Sequence, residues 1–564
     1  MYKITLLFIC FFASKVLIHS QIFIDEKFDD WNQVAMSYTD AKGDVNSSQI
    51  DIGEIKVSND EERLFIYINI NKEINLQSGH HLSLAVDFDN NASTGLIING
   101  IGAELVYDFG DRMGQLYLSG QTTFVYHNHI GLVSAPTVTS NTFELSIQRQ
   151  IKISSLVANM GNIIKVSVFD DTASGDKAPN SQGLQYTFDG GLQSYSKKFA
   201  YKKASSELLR ILSYNVLQDN IFDSSVTPSF KRVIAALQPD IMGFCEVYDH
   251  SAADVSTFVK SAIPNVPNWY TAEANPDIRI VSKYPITTSK SVDGNGVFVI
   301  KIENVQMVFI MAHLPCCDNE TDRQKEIDKL MSFVRDIRYG ISSLQVPINS
   351  PIVISGDMNL VGYSAQLNTL ITGDISNNTS YGPDFKPDWD NTSLTDAQPF
   401  IPGKPFCFTW NNQFSTYPPG RLDFMFFTDS KMKLENAFVF DSALLSASEQ
   451  TQLGVLKNDC TDISDHYPII GDYNLQTSTN ITESYIGNFS LSMDPLPTLQ
   501  ISNEYNDSNG SIIITDIMGR VTKTIPIQYG ITNYQLSDYI LPQNQWWIVS
   551  LRIKNQYFFK KFFY

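Results

Sequence analysis

The sequence predicts an α/β two-sheet sandwich flanked by a β-sandwich on its N-terminal side and a small all-β domain on its C-terminal side. Three observations lead there. At 564 residues the chain exceeds what one hydrophobic core serves, so about three domains are expected. Residues 21–195 alternate apolar and polar positions in short runs such as "RLFIYINI", "HLSLAVDFD" and "IIKVSVFD", separated by Asn, Asp and Gly clusters. That is the period of half-buried antiparallel strands. Residues 208–475 change style, because continuous apolar strands there alternate with helical stretches.

The order of elements follows from these patterns. A polar, basic, Gly- and Ser-containing stretch at 196–207 reads as a linker. In "NETDRQKEIDKLMSFVRDIRYG", Ile327, Leu330, Val334 and Ile337 recur at helical spacing and mark a helix lying on a sheet. A Ser/Thr/Asn-rich linker at 476–497 precedes the last unit, 498–564. Residues 1–20 read as a secretory signal, with Lys3, an apolar core from Ile4 to Ala13, and Ser20 before a cut at Gln21. The apolar run is too short to span a bilayer, and Lys15 interrupts it. Cys10 has no small residue before it, which argues against a lipoprotein anchor. The expected location is secreted or cell-surface.

The net charge of −19 argues against a large basic surface tracking a polyanion, yet leaves room for a small metal-assisted phosphate site. The cysteines show no zinc spacing, and one disulfide is expected without a readable pairing.

Several strands of the central block end in chemistry. "LLRILSYNV" carries Asn215, "QPDIMGFCEV" Glu246, "VQMVFIMAHL" His313, and "PIVISGDMN" Asp357 and Asn359. "GRLDFMFF" opens on Arg421 and Asp423, and "DISDHYPII" sets Asp465 and His466 before an apolar run. Singly, Asn215 reads as a turn cap, Glu246 as a loop carboxylate, His313 as a structural histidine, and Arg421 with Asp423 as an ion pair. Together, on rigid buried elements, they form the set that phosphoester chemistry requires. Glu246 and Asp465 are oxygen ligands for Mg²⁺ (or Mn²⁺) that would also touch a substrate phosphate. His466 is the general base, with Asp423 fixing its tautomer. Asp357 and Asn359 suit positioning of the attacking water, and His313 and Asn215 suit hydrogen bonds to phosphate oxygens. Glu273 is the guess for a carboxylate behind His313. Asp384, Asp388, Trp389 and Asp390 read as substrate contacts or, the favoured reading, as a solvated loop.

With these motifs in order, residues 208–475 resemble the endonuclease/exonuclease/phosphatase superfamily, of DNase I-like type. The resemblance implies divalent-metal dependence and in-line attack of water on phosphorus, with the roles just given. It includes nucleases, inositol-phosphate phosphatases and sphingomyelinases. "DRQKEI", between His313 and Asp357, resembles bacterial sphingomyelinases, but no long apolar hairpin for a membrane is present. Nucleic acid is slightly favoured as substrate, and a phospholipid head group or inositol phosphate is the alternative. A reading of another class is a surface glycan-binding protein with an inactive catalytic-like domain.

The N-terminal block resembles carbohydrate-binding family 9-like or DOMON-like sandwiches through "DEKFDDWNQV", "YTDAKGDVN" and "AVDFDNNASTG". A glycan partner follows from that resemblance. Asp87, Asp89, Asn91 and Ser93 alternate as oxygen donors for Ca²⁺ or else form a polar turn. Trp31 is assigned to the core. The C-terminal unit resembles a type IX secretion sorting domain through "SNGSIIITDIMGRVTKTIPI" and "YFFKKFFY", which implies an outer-membrane secretion machinery as partner.

Overall fold

The computed structural model describes residues 21–46, 50–195, 199–274, 276–475, 489–492, 498–501, 510–516, 520–527, 533–536, 546–553 and 556–563. The expected signal segment and part of both linkers lie outside these residues. Two facing six-stranded sheets form the centre. The first runs, in spatial order, Tyr270–Ala274, Ile278–Ser282, Ile241–Cys245, Leu209–Asn215, Ile469–Leu475 and Met432–Val439. The second runs Ile286–Val292, Asn295–Ile302, Val305–His313, Ile352–Asp357, Asp423–Phe427 and Thr395–Asp396. The expected two-sheet α/β sandwich is therefore present, with β-rich units on both sides.

Side chains of the two inner faces interlock, and their close approach explains the small residues there. A Cβ on Gly243 would lie 2.6 Å from Met311 Sδ, and one on Gly471 would lie 2.9 Å from Met425 Sδ. The helix Glu320–Arg338 buries Ile327, Leu330, Val334 and Ile337 against the outer face of the second sheet. Glu320 and Asp322 occupy its first turn, and Arg335 and Arg338 its last, matching the helix dipole at each end. Arg210 and Asp472, both buried, join the first and last long strands by a two-point contact at 2.6 and 2.7 Å.

The N-terminal unit has a five-stranded and a larger antiparallel sheet, with a core that includes Ile66, Leu84, Phe143 and Val166. Its leading segment departs from the expected boundary. Ile22, Ile24 and Trp31 pack into the core of the central sandwich, and Ile24 bridges to Phe406. Trp31 is fully buried, donating Nε1–H to Glu144 Oε2 at 3.0 Å. The C-terminal strands form a three-stranded and a four-stranded sheet, with Leu499, Ile512, Ile514, Trp547 and Val549 in their core. Among the described residues all five cysteines are unpaired, and no helix is long and apolar enough to cross a membrane.

Candidate active site

Strand pairing sets the functional groups in rows. On the second sheet Asp357 registers with His313 on one neighbouring strand and with Asp423 on the other. On the first sheet Asn215 registers with Cys245, one residue before Glu246. The rows meet at one edge of the sandwich. Asn215 Nδ2 donates to Glu246 Oε1 at 2.8 Å and to Asp357 Oδ2 at 3.0 Å, binding the two sheets' carboxylates together. Glu246 and Asn359 both sit at the strand tips with left-handed backbone (φ 61° and 47°), and such conformations cluster where the surrounding structure imposes them. Gly356, with φ 141°, precedes Asp357 because a Cβ there would lie 1.9 Å from Ala312 O on the neighbouring strand.

Asp357 is the meeting point. Its Oδ1 accepts from Asn359 N at 3.0 Å, while its Oδ2 lies 3.5 Å from His466 Nε2 and 3.8 Å from His313 Nε2. His466 Nδ1 is 2.8 Å from Asp423 Oδ2, which also accepts from Thr409 Oγ1 at 2.8 Å. His313 Nδ1 is 2.5 Å from Asp277 Oδ2. Burial alone pulls His466 down, but Asp423 and Asp357 outweigh it and hold the ring up at about 10. His313 follows the same balance, with Asp277 and Asp357 raising it to about 9. Burial raises the carboxyl of Asp357, against the pull of His466.

The donor set fits a hard divalent cation. Single ligand atoms of Glu246, His313 and Asp357 lie within 4.8 Å of one another, about twice a metal–oxygen bond. Asp357, Asp423 and His466 form a second such group, and Asp423 Oδ1 is buried without a hydrogen-bond partner. Asp465, expected beside Glu246, belongs to neither group. Its Oδ2 accepts from Trp410 Nε1 at 3.0 Å and Asn412 Nδ2 at 3.4 Å on the adjoining loop.

Sequence reasoning missed Asp277. The guess, Glu273, instead accepts from Ala252 N and lies 3.7 Å from Arg279. Asp277 opens the strand run "DIRI", a carboxylate at a strand tip like the others, and that was the available signal. Arg421 does not pair with Asp423. It contacts Asp396 at 2.5 and 2.6 Å and Glu26 at 3.2 Å, because Asp423 is turned to His466. Asp388 is fully buried rather than solvated, holding Ser430 N and Oγ and so closing the loop around Trp389. In the N-terminal unit Asp87 and Asp89 group with Glu104, which sequence spacing did not reveal. Asn91 and Ser93 turn backbone N–H groups toward that loop's own side chains, Asn91 N to Asp89 Oδ1 and Ser93 N to Asn91 Oδ1.

Residues 212–466 match the model of the Endonuclease/Exonuclease/phosphatase family. Among solved structures the chain is similar to D. rerio TDP2 complexed with a single-strand DNA product, at 14% identity, covering 48% of this chain and 100% of that one, with a TM-score of 0.32. It is similar to the human Nocturnin catalytic domain with bound sulfate at 12% identity, 48% and 95% coverage, and TM-score 0.30. It is also similar to beta toxin of Staphylococcus aureus at 16% identity, 47% and 99% coverage, and TM-score 0.29. No curated protein matches the chain.

Proposed function

We propose that this protein is a secreted, divalent-metal-dependent phosphodiesterase that acts preferentially on nucleic acid. The observation that carries the reading is the convergence of His466 and His313 on Asp357, each ring backed by its own buried aspartate. Two rings facing one pocket, with His313 cationic on Asp277, suit an anionic, trigonal-bipyramidal phosphorus centre. Glu246 and Asp357 are the residues that would hold Mg²⁺ or Mn²⁺, which supplies charge neutralisation at phosphate oxygens when bound. Asn359 N fixes Asp357; a cation bound at that carboxylate would remove its upward pull on His466, whose neutral Nε2 would then accept the proton of the attacking water as the oxygen–phosphorus bond forms and the ester oxygen leaves. The His313 Nε2–H donates to a phosphoryl oxygen and Asp277 keeps that ring oriented.

Exposed aromatics support a stacked substrate. Phe414 is 90% exposed on the loop that carries Trp410 and Asn412, and Tyr248 and Tyr363 are exposed just beyond Glu246 and Asn359. Base–aromatic stacking tolerates any sequence. The same Phe414 favours a phospholipid head group as second reading, since an apolar tip would enter a lipid surface. The export segment and C-terminal unit support release to the surface through an outer-membrane route. The N-terminal sandwich supports glycan attachment, with Ca²⁺ between Asp87, Asp89 and Glu104.

The test is hydrolysis of plasmid DNA, RNA, sphingomyelin and inositol phosphates by the purified full chain, with Mg²⁺ or Mn²⁺ and with chelator. Chelator-sensitive cleavage of DNA or RNA is expected. Turnover confined to sphingomyelin moves the assignment to the second reading, and no turnover on any substrate overturns both.

A further inference from the structure

We propose that the N-terminal sandwich also holds a Ca²⁺-type cation between Asp40, Asp44 and Asp176, apart from the phosphoesterase-type site and from the Asp87 loop. Asp40 and Asp44 follow the strand Ser37–Thr39 of the five-stranded sheet. Asp176 precedes the short strand Lys177–Ala178 of the other sheet. One carboxylate oxygen of each lies within 4.8 Å of the others. Calcium–oxygen bonds of about 2.3–2.6 Å allow one ion to reach all three. The donors are all oxygen, which suits a hard cation and not a thiolate-seeking one.

The unused hydrogen-bonding capacity is what points to a ligand. Asp40 is 6% exposed, and its Oδ1 accepts from Tyr38 O–H at 3.2 Å and Asn180 Nδ2 at 3.0 Å. Its Oδ2 is buried and has no hydrogen-bond partner. Asp176, 3% exposed, accepts from Ile52 N at 2.6 Å and Lys177 N at 2.7 Å. Around them Asp51 accepts from Gly43 N, and Asp170 accepts from Ile50 N, yet each keeps one buried oxygen with no partner. The run Ile50–Ile52 thus threads a corner lined by five aspartates. Among the described residues no Lys or Arg pairs with any of them. Buried carboxylates left without a counter-charge are costly, and a bound cation removes that cost. The ion would fasten the end of an edge strand in one sheet to the 171–176 turn of the other, at the base of the segment that enters the central core.

The experiment uses the full chain stripped by chelator, in an Asp89→Asn background that weakens the neighbouring candidate loop. Added Ca²⁺ should raise the unfolding temperature by about 5 °C at roughly a hundredfold excess over Kd. Tb³⁺ should show emission sensitised by Tyr38, whose hydroxyl touches Asp40. Asp44 is exposed, so Asp44→Asn should leave the metal-free unfolding temperature unchanged while weakening Ca²⁺ binding about tenfold and dimming Tb³⁺. Asp176→Asn should abolish the Ca²⁺ shift. A Ca²⁺ response and Tb³⁺ signal unchanged in both variants overturn the proposal. So does a fall in the metal-free stability of Asp44→Asn that accounts for its whole effect.

Discussion

His466 and His313 face the same carboxylate from two parts of the molecule. Each gives its Nδ1 to a buried aspartate and turns Nε2 toward Asp357. What holds them differs. The Asp423 behind His466 sits two residues from Arg421, whose guanidinium pairs with Glu26 of the N-terminal segment and whose carbonyl accepts from Thr137 of the sandwich at 3.2 Å. His313 is fixed wholly within the α/β domain, its N–H on Asn295 Oδ1 at 3.1 Å and its Asp277 also holding Glu246 N at 2.9 Å. One half of the site is therefore braced by the neighbouring unit, and the other is self-contained. Alike in outline, the two rings should fail differently when disturbed.

The largest difference is expected from removing the rings themselves. His466→Ala should cost about 10³–10⁴ in kcat and His313→Ala about 10², both with normal folding, because only His466 shares the water proton. Steady-state rates on the substrate that the hydrolysis panel identifies measure this. A reversed order would break the assignment of roles. Next comes Arg421→Met, which strands two part-buried carboxylates and should lower stability by about 2–4 kcal/mol in chemical denaturation. The loss should come with detachment of the N-terminal segment, read by hydrogen exchange at residues 22–31. Exchange spreading first to the His313 strand would show that the brace runs elsewhere.

Smaller again are the backing carboxylates. Asp423→Asn should cost about 10² in kcat and Asp277→Asn about 10, with KM nearly unchanged in the first and raised in the second. Equal losses would mean that both rings serve the same step.

The sequence made part of this comparison readable and hid the rest for a physical reason. His313, Asp357, Asp423 and His466 stood out because each caps or adjoins an unbroken apolar run, and a polar group at such a tip is conspicuous. Asp277 sits at the head of a short strand after a turn, where carboxylates are ordinary, so its strand-tip position was a weaker signal than theirs. The partners of Arg421 were illegible for another reason. Glu26 is 395 residues away in the chain, and only the packing of Ile22, Ile24 and Trp31 into a second domain's core brings it there. The pairing of Asp87 with Glu104 was hidden in the same way, since alternation along one loop says nothing about the strand that returns beside it.

The smallest effect tests the brace through pH. Burial pushes the Glu26 carboxyl up to about 7, although Arg421 pulls it down. The folded protein therefore holds a proton on Glu26 over a range in which the unfolded chain has released it. The stability this contributes is fully present below the unfolded value of about 4.5, and it is lost as pH rises through about 7. Glu26→Gln cannot titrate, so wild type should lose about 1–3 kcal/mol relative to the variant between about pH 5 and about pH 8. Paired unfolding curves across that window measure it. If the brace serves only the His466 half, the kcat of Asp277→Asn should be indifferent to this substitution while that of Asp423→Asn responds. A flat difference between wild type and Glu26→Gln would mean that Arg421 keeps Glu26 ionised throughout, and that the brace is a plain ion pair with no pH dependence near neutrality.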